Sequence, residues 1–110
     1  MKLVILESPY AAEDPANLQA NIDYARACVR DSLARGEAPI ASHLLYTQPD
    51  ILNDLDPIER QRGIDAGNAW RSVAQLAAFY TDRGWSEGML AARRLYVVEG
   101  IPFSERTIRD

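Results

Sequence analysis

The chain has 110 residues, which is enough for one domain with a sizeable hydrophobic core but leaves no room for a second. Hydrophobic residues make up 47% of it and charged residues 25%, so the composition disfavours an intrinsically disordered chain. The net charge of -4 disfavours a nucleic-acid partner, and no apolar run approaches the roughly 20 residues that span a bilayer.

The first predicted element is a strand over residues 2–6, because the apolar run from Leu3 to Leu6 is typical of a strand buried on both faces. This pattern predicts a central strand. A helix should follow, with Asp14 as its cap and Pro15 as its first residue, and Gly36 should end it. Its expected buried face consists of Leu18, Ile22, Ala25, Val29 and Leu33.

Residues 38–42 predict a short second strand, and residues 43–49 a loop at its end. Asp56 and Pro57 are then expected to cap and begin a second helix that runs to about Val73. Small residues along this helix predict close packing against a neighbouring element. They are Gly63, Ala66, Gly67 and Ala69.

A third strand is predicted over residues 75–80, followed by a helix that buries Met89, Ala92 and Tyr96 and ends at Gly100. An edge strand should begin at residues 101–103. This alternation predicts an α/β fold over residues 1–110, a single Rossmann-like three-layer domain with a four- to five-stranded, mainly parallel sheet flanked by helices.

Cys28 is the only cysteine, which excludes an internal disulfide and a cysteine-based metal cluster. On its predicted helix it should be a small buried apolar side chain. The apolar run at the start meets Glu7 too early for a signal peptide, so we expect a cytoplasmic protein. With a single histidine and a single cysteine, no metal site is expected, and no motif calls for a cofactor.

Ligands of open parallel sheets bind beyond the carboxyl ends of the strands, so the loops after the first three strands should converge. The first loop holds Glu7, Ser8, Pro9 and Tyr10, where the hydroxyl and the aromatic ring suit a sugar or a base, although a proline turn with a packing tyrosine is the plainer interpretation. His43 after the second strand either makes structural hydrogen bonds or contacts a ligand phosphate or carbonyl.

An arginine of the second helix, Arg60 or Arg62, either pairs with an anion in this crevice or belongs to a solvated helical face. The third loop leads into the last helix, whose first-turn N–H groups favour an anion. The alternative there is an ordinary cap by Ser86. Asp82 and Glu87 form the acidic pair placed for acid–base or nucleophilic work on a glycosidic bond.

Over nearly its whole length the chain resembles small phage and prophage proteins with a nucleoside 2-deoxyribosyltransferase-like fold. The resemblance is carried by Ser8-Pro9-Tyr10, by Pro39 with His43-Leu44-Leu45, by Arg60 or Arg62, and by Ser86-Glu87-Gly88-Met89. In the wider family an Asp-x-Gly precedes a helix that begins with Glu-x-Gly and carries a nucleophilic glutamate. Asp82-Arg83-Gly84 matches the first part, whereas Ser86 stands where that glutamate is expected.

The resemblance implies a protein that binds a nucleotide- or nucleoside-derived small molecule without turnover. In a phage such a protein would sequester a cyclic ADP-ribose-type immune signal in the host cytoplasm. The expected ligand-binding residues are Ser8, Pro9, Tyr10, His43, Arg60, Asp82, Gly84, Ser86, Gly88 and Met89.

Two other functions stay open at this point. One is a nucleoside deoxyribosyltransferase or N-glycosidase that uses Asp82 or Glu87. The other is an oligomeric interaction protein without a small ligand, whose interface would include Trp70 and Trp85, although each tryptophan can equally be a core residue. A homodimer or higher homo-oligomer is expected because a sheet of this size leaves a shallow pocket. Neither a nucleic acid nor a membrane is an expected partner.

Overall fold

A computed structural model describes residues 1–108 as one α/β domain. Its strands are β1 (Leu3–Glu7), β2 (Ala38–Ile40), β3 (Leu76–Tyr80) and β4 (Phe103–Arg106). Its helices are α1 (Pro15–Ala34), α2 (Ser42–Leu45), α3 (Pro57–Ala69) and α4 (Glu87–Glu99), with a 3-10 turn at Trp70–Ser72 after α3.

The four strands form one parallel sheet in the order β2-β1-β3-β4. In its register Ile5 lies opposite Ile40 on one side and Ala77 on the other. The sheet confirms the predicted Rossmann-like α/β fold, with β1 as an interior strand and β4 at an edge.

Side chains alternate between the two faces of the sheet, and each face is covered by a different helix. The α1 side of the core contains Val4, Leu6, Ala78 and Tyr80 from the strands, with Tyr24 and Cys28 from the helix. The α4 side contains Ile5, Ala77 and Phe79, with Met89 and Tyr96 from the helix. The result is the three-layer arrangement that the sequence predicted.

Helix α1 begins as predicted, since the Asp14 side chain accepts a hydrogen bond from the Asn17 N–H at 2.8 Å. Its predicted buried face is only partly right: Ala25 is buried and Val29 packs against the core, but Leu33 is 58% exposed. The residues that the helix buries are Asn21, Tyr24, Ala25, Cys28 and Ser32. The polar side chains on the buried face are tolerated because they have partners; Ser32 Oγ, for example, donates to Glu37 Oε1 at 2.7 Å.

Cys28 is fully buried, as predicted. Burial raises the pKa of its thiol to about 12.

The loop predicted at residues 43–49 is wrong at its start, because Ser42–Leu45 form the short helix α2. The N–H groups of Leu44 and Leu45 both donate to Ala41 O, so the chain turns into a helix directly after β2. The second strand therefore ends at Ile40 and not at residue 42.

Helix α3 begins as predicted, with the Asp56 carboxylate accepting from Ile58 N–H at 2.9 Å. Together with the 3-10 turn it reaches Ser72, close to the expected end. Its small residues do allow a close approach: a Cβ atom at Gly67 would lie 2.5 Å from Ser42 Oγ. Helix α3 packs on α2 and buries none of its own residues.

Helix α4 and β4 agree with the sequence prediction. Met89 and Tyr96 are buried, and Gly100 ends the helix with a φ of 70°. No helix within residues 1–108 combines the length and the apolar character that crossing a membrane requires.

Candidate ligand-binding site

A cavity of about 520 Å³ opens at the carboxyl end of β1 and is lined by residues of α2, α3 and α4. Its size falls within the range of roughly 300–1,000 Å³ that is usual for small-molecule sites. The cavity reaches the sheet at Glu7, the last residue of β1.

Most of the residues predicted to bind a ligand meet in this cavity. Those that line it are Ser8, Tyr10, His43, Arg60, Ser86, Gly88 and Met89. Glu87 lines it as well. Pro9 instead lines a neighbouring cavity of about 380 Å³, which also contacts Arg83 and Trp85.

Ser8 and His43 form the hydrogen-bonded wall beside Tyr10. A hydrogen bond of 2.7 Å joins Ser8 Oγ and His43 Nε2, and the Tyr10 ring stands nearly perpendicular to the imidazole, with 6.2 Å between ring centroids. Burial lowers the pKa of His43 to about 4. The imidazole is therefore neutral at pH 7 and offers hydrogen bonding but no positive charge to a ligand.

Of the two candidate arginines, Arg60 lines the cavity, whereas Arg62 lies outside its lining. Arg60 Nη1 donates to Asp54 Oδ2 at 2.9 Å, and both side chains are partly exposed. Arg60 therefore reaches the cavity already paired with a carboxylate.

At the start of α4 the structure shows the capping arrangement. Ser86 Oγ accepts a hydrogen bond from Met89 N–H at 3.2 Å, so its side chain satisfies the helix terminus. Glu87 is the first residue of the helix and is exposed at the cavity rim.

Asp82 and Gly84, both predicted to bind the ligand, lie outside the lining of this cavity. Asp82 Oδ1 accepts from Tyr24 Oη at 2.5 Å and from Ile108 N–H at 3.1 Å, while the Asp82 N–H donates to the same tyrosine hydroxyl at 2.9 Å. This network ties the end of β3 to α1. Gly84 forms the turn that follows, with a φ of 85° and a hydrogen bond from its N–H to Thr81 O.

The predicted acidic pair is therefore divided between two environments. Only Glu87 faces the cavity, because the Asp82 side chain is held by Tyr24 on the α1 side.

The cavity is lined by a partly buried acid that the sequence-predicted set of ligand-binding residues does not include. Glu7, the last residue of β1, accepts a hydrogen bond from Tyr96 Oη at 3.3 Å. Burial raises the pKa of Glu7 to about 7, although the Tyr96 hydrogen bond and the positive charge of Arg71 both act to lower it. Arg71 lines the same cavity and donates from Nε to Glu99 Oε2 at 2.7 Å.

The sequence contained a partial indication of this group. Glu7 is an acid directly after an apolar run, and the sequence predicts it in the convergent first loop. The helical spacing predicts Tyr96 on the core face, and no local pattern marks Arg71. Its role depends on an ion pair with Glu99, 28 residues away in the chain.

The fold and the cavity define the protein as a single-domain, parallel α/β protein with a candidate small-molecule site at the carboxyl edge of its sheet. Residues 2–106 match a family described as a domain of unknown function, DUF7768, and the chain belongs to that family. Comparison with curated proteins gave no match. Comparison with solved structures gave none either.

Proposed function

We propose that the protein binds a nucleotide- or nucleoside-derived small molecule in the 520 Å³ cavity without turning it over. The observation that carries the proposal is the convergence of Ser8, Tyr10 and His43 with the start of α4 around one cavity at the carboxyl edge of a parallel sheet. The tyrosine ring offers a surface for stacking a base, and the polar groups offer hydrogen bonds to fix its orientation.

Binding without turnover is supported by the corner before α4. Ser86 occupies the position where the resemblance to deoxyribosyltransferases places a nucleophilic glutamate, and its hydroxyl caps the helix. Asp82 is engaged with Tyr24 and Ile108. In a phage, such a binder would withdraw a cyclic ADP-ribose-type immune signal from the host.

A ligand titration with a cavity-blocking variant tests this proposal. We expect thermal-shift and calorimetric binding with members of a panel of nucleosides, nucleotides and ADP-ribose derivatives. Ala91→Trp, on the exposed side of α4 where it lines the cavity, should remove that binding. Val98→Trp is the matched control, because Val98 is an exposed residue of the same helix outside the cavity lining.

Two results would contradict the proposal. The first is that no member of the panel binds to the wild-type protein. The second is that Ala91→Trp and Val98→Trp bind equally well, which would place the ligand elsewhere.

The second candidate function is cleavage or transfer of an N-glycosidic bond, and it is favoured by a specific observation. Glu7 and Glu87 line the same cavity, and the raised pKa of Glu7, about 7, suits a general acid or base. Release of free base from nucleosides or nucleoside monophosphates would support it. That release should be lost in Glu7→Gln or Glu87→Gln and retained in Asp82→Ala at a temperature where all variants are folded.

We also propose that the protein forms a homo-oligomer. Helix α3 buries none of its residues, and apolar side chains in and beside it are exposed, with Leu55 at 92% and Ile58 at 73%. Exposed apolar residues concentrated in one region favour association between chains. Light scattering would test this, and a monomer at micromolar concentration would contradict it.

A further inference from the structure

We infer that the buried end of the cavity, formed by Glu7, Arg71 and Tyr96, binds adjacent hydroxyl groups of the ligand's sugar and not its phosphate. This inference rests on the proposed function and specifies which part of the bound ligand lies deepest in the cavity. The assignment follows from the donors and acceptors that these three side chains present.

Burial distinguishes this end of the cavity from its rim. Tyr96 is 2% exposed and the Arg71 side chain 17%, whereas Glu87 and Arg60 at the rim are exposed. A ligand group that reaches Glu7 is therefore desolvated, and the hydrogen bonds that it made with water must be replaced by hydrogen bonds with the protein.

Glu7 and Arg71 offer complementary hydrogen-bonding groups in the same cavity. Within residues 1–108 the Glu7 carboxylate accepts one side-chain hydrogen bond, from Tyr96 Oη at 3.3 Å. Arg71 uses its Nε for Glu99, while its Nη1 is buried with no hydrogen-bond partner among residues 1–108. Buried polar groups without partners are uncommon in folded proteins, so this donor is available for a ligand acceptor.

A hydroxyl group matches this combination because it donates and accepts at once. It can donate to Glu7 and accept from Arg71. A phosphate only accepts, so it offers no donor to the Glu7 carboxylate. An ammonium group only donates, so it offers no acceptor to Arg71 and would be repelled by the guanidinium charge. The two adjacent hydroxyls of a ribose supply both partners from one rigid ring.

The charges around the whole cavity support the same orientation. Its acidic lining residues are Glu7, Asp54, Glu59 and Glu87. Its arginines, Arg60 and Arg71, are both already in ion pairs, at 2.9 Å and 2.7 Å. A phosphate is therefore favoured outside the buried end, and the base is left for the Tyr10 ring beside His43.

Calorimetric titration with adenosine, 2′-deoxyadenosine and inosine tests the inference. Wild type should bind adenosine about tenfold or more tightly than 2′-deoxyadenosine, the loss expected when a hydrogen bond to a charged group is removed. Glu7→Gln, which keeps the size of the side chain, should reduce that preference to threefold or less. Glu105→Gln, the same change at an exposed carboxylate of β4 outside the cavity lining, is the control and should keep the preference.

The outcomes separate this inference from the proposed function. If adenosine binds but wild type shows no preference for it over the deoxy compound, or Glu7→Gln keeps the preference, the inference is overturned and the function stands. If Glu7→Gln changes the preference between adenosine and inosine instead, the base occupies the buried end and the inference is also overturned. If wild type binds no nucleoside or nucleotide, both fail. Circular dichroism and thermal unfolding of each variant confirm that it is folded.

Discussion

Replacing Asp82 with alanine distinguishes a structural carboxylate from a ligand-binding one. The sequence alone places Asp82 in the binding corner, whereas the structure places its side chain against Tyr24 and the Ile108 N–H. We therefore expect Asp82→Ala to weaken folding and to leave ligand affinity nearly unchanged at temperatures where the variant is folded.

The magnitude follows from the hydrogen bonds that the variant loses. Asp82 Oδ1 accepts from Tyr24 Oη at 2.5 Å and from Ile108 N–H at 3.1 Å, and Oδ2 lies 3.2 Å from the same N–H. A hydrogen bond to a charged group contributes about 1.5–3 kcal/mol, and the loss of two is partly offset by water. The free energy of unfolding should fall by about 2–4 kcal/mol.

A double-mutant cycle measures this effect, with the free energy of unfolding in urea determined for wild type, Asp82→Ala, Tyr24→Phe and the double variant. The hydroxyl of Tyr24 and the carboxylate of Asp82 are in direct contact, so the two substitutions should couple by about 1–3 kcal/mol. Additive effects would show that the hydrogen bond contributes nothing. If Asp82→Ala has unchanged stability but loses ligand binding, Asp82 is a ligand-binding residue and the reasoning is refuted.

Further predictions concern the ion pair, the helix cap, the cysteine and a carboxyl group. Glu37→Gln breaks the 2.6 Å pair with Arg106, whose side chains are 12% and 9% exposed, and should lower the free energy of unfolding in urea by about 3 kcal/mol. Ser86→Ala should lower the free energy of unfolding by about 1 kcal/mol because the helix cap is lost. Ser86→Asp can still cap the helix and should retain most of that stability. The buried thiol of Cys28 should resist a thiol reagent in the native protein and react once the chain is unfolded, and equally fast reaction in both states would contradict its burial. Because burial raises the pKa of Glu7 from 4.5 to about 7, the folded state holds a proton that the unfolded state releases, and the free energy of unfolding should fall by up to about 1.4 kcal/mol per pH unit as pH rises through that window. Glu7→Gln should remove this component of a pH titration of stability, and an identical pH dependence in the variant would refute the assignment.

Local chemistry was sufficient to predict most elements of the fold. Asp14 and Asp56 cap their helices through their own side chains, and Gly100 ends α4 through its positive φ, so these boundaries depend on a few neighbouring residues. The unbroken apolar run of β1 likewise requires cover on both faces.

The buried face of α1 could not be obtained in the same way. The hydroxyl of its buried Tyr24 donates a hydrogen bond to Asp82, 58 residues away. The helical periodicity of α1 gives no information about a partner so distant in the sequence. The short helix α2 has the same origin, since a four-residue helix carries too few residues to show a period and depends on the carbonyl of Ala41 at the end of β2.

For the candidate site, topology predicts which loops converge but not where each side chain points. Ser8, Tyr10 and His43 line the cavity because they lie just beyond the carboxyl ends of β1 and β2. Which way Asp82 points is decided by the hydroxyl of Tyr24, and Arg71 enters the cavity through its ion pair with Glu99. Both are tertiary contacts that the sequence does not encode locally.

Amide chemical-shift mapping with a bound nucleoside tests most directly whether a nucleoside-derived ligand occupies the cavity beside β1. Large shifts are expected at the amides of Ser8, Gly63 and Gly88, which line the cavity. Small shifts are expected at Cys28 and Ser32, which are buried on the α1 side. Shifts confined to α1, or none at saturating ligand, would contradict this placement.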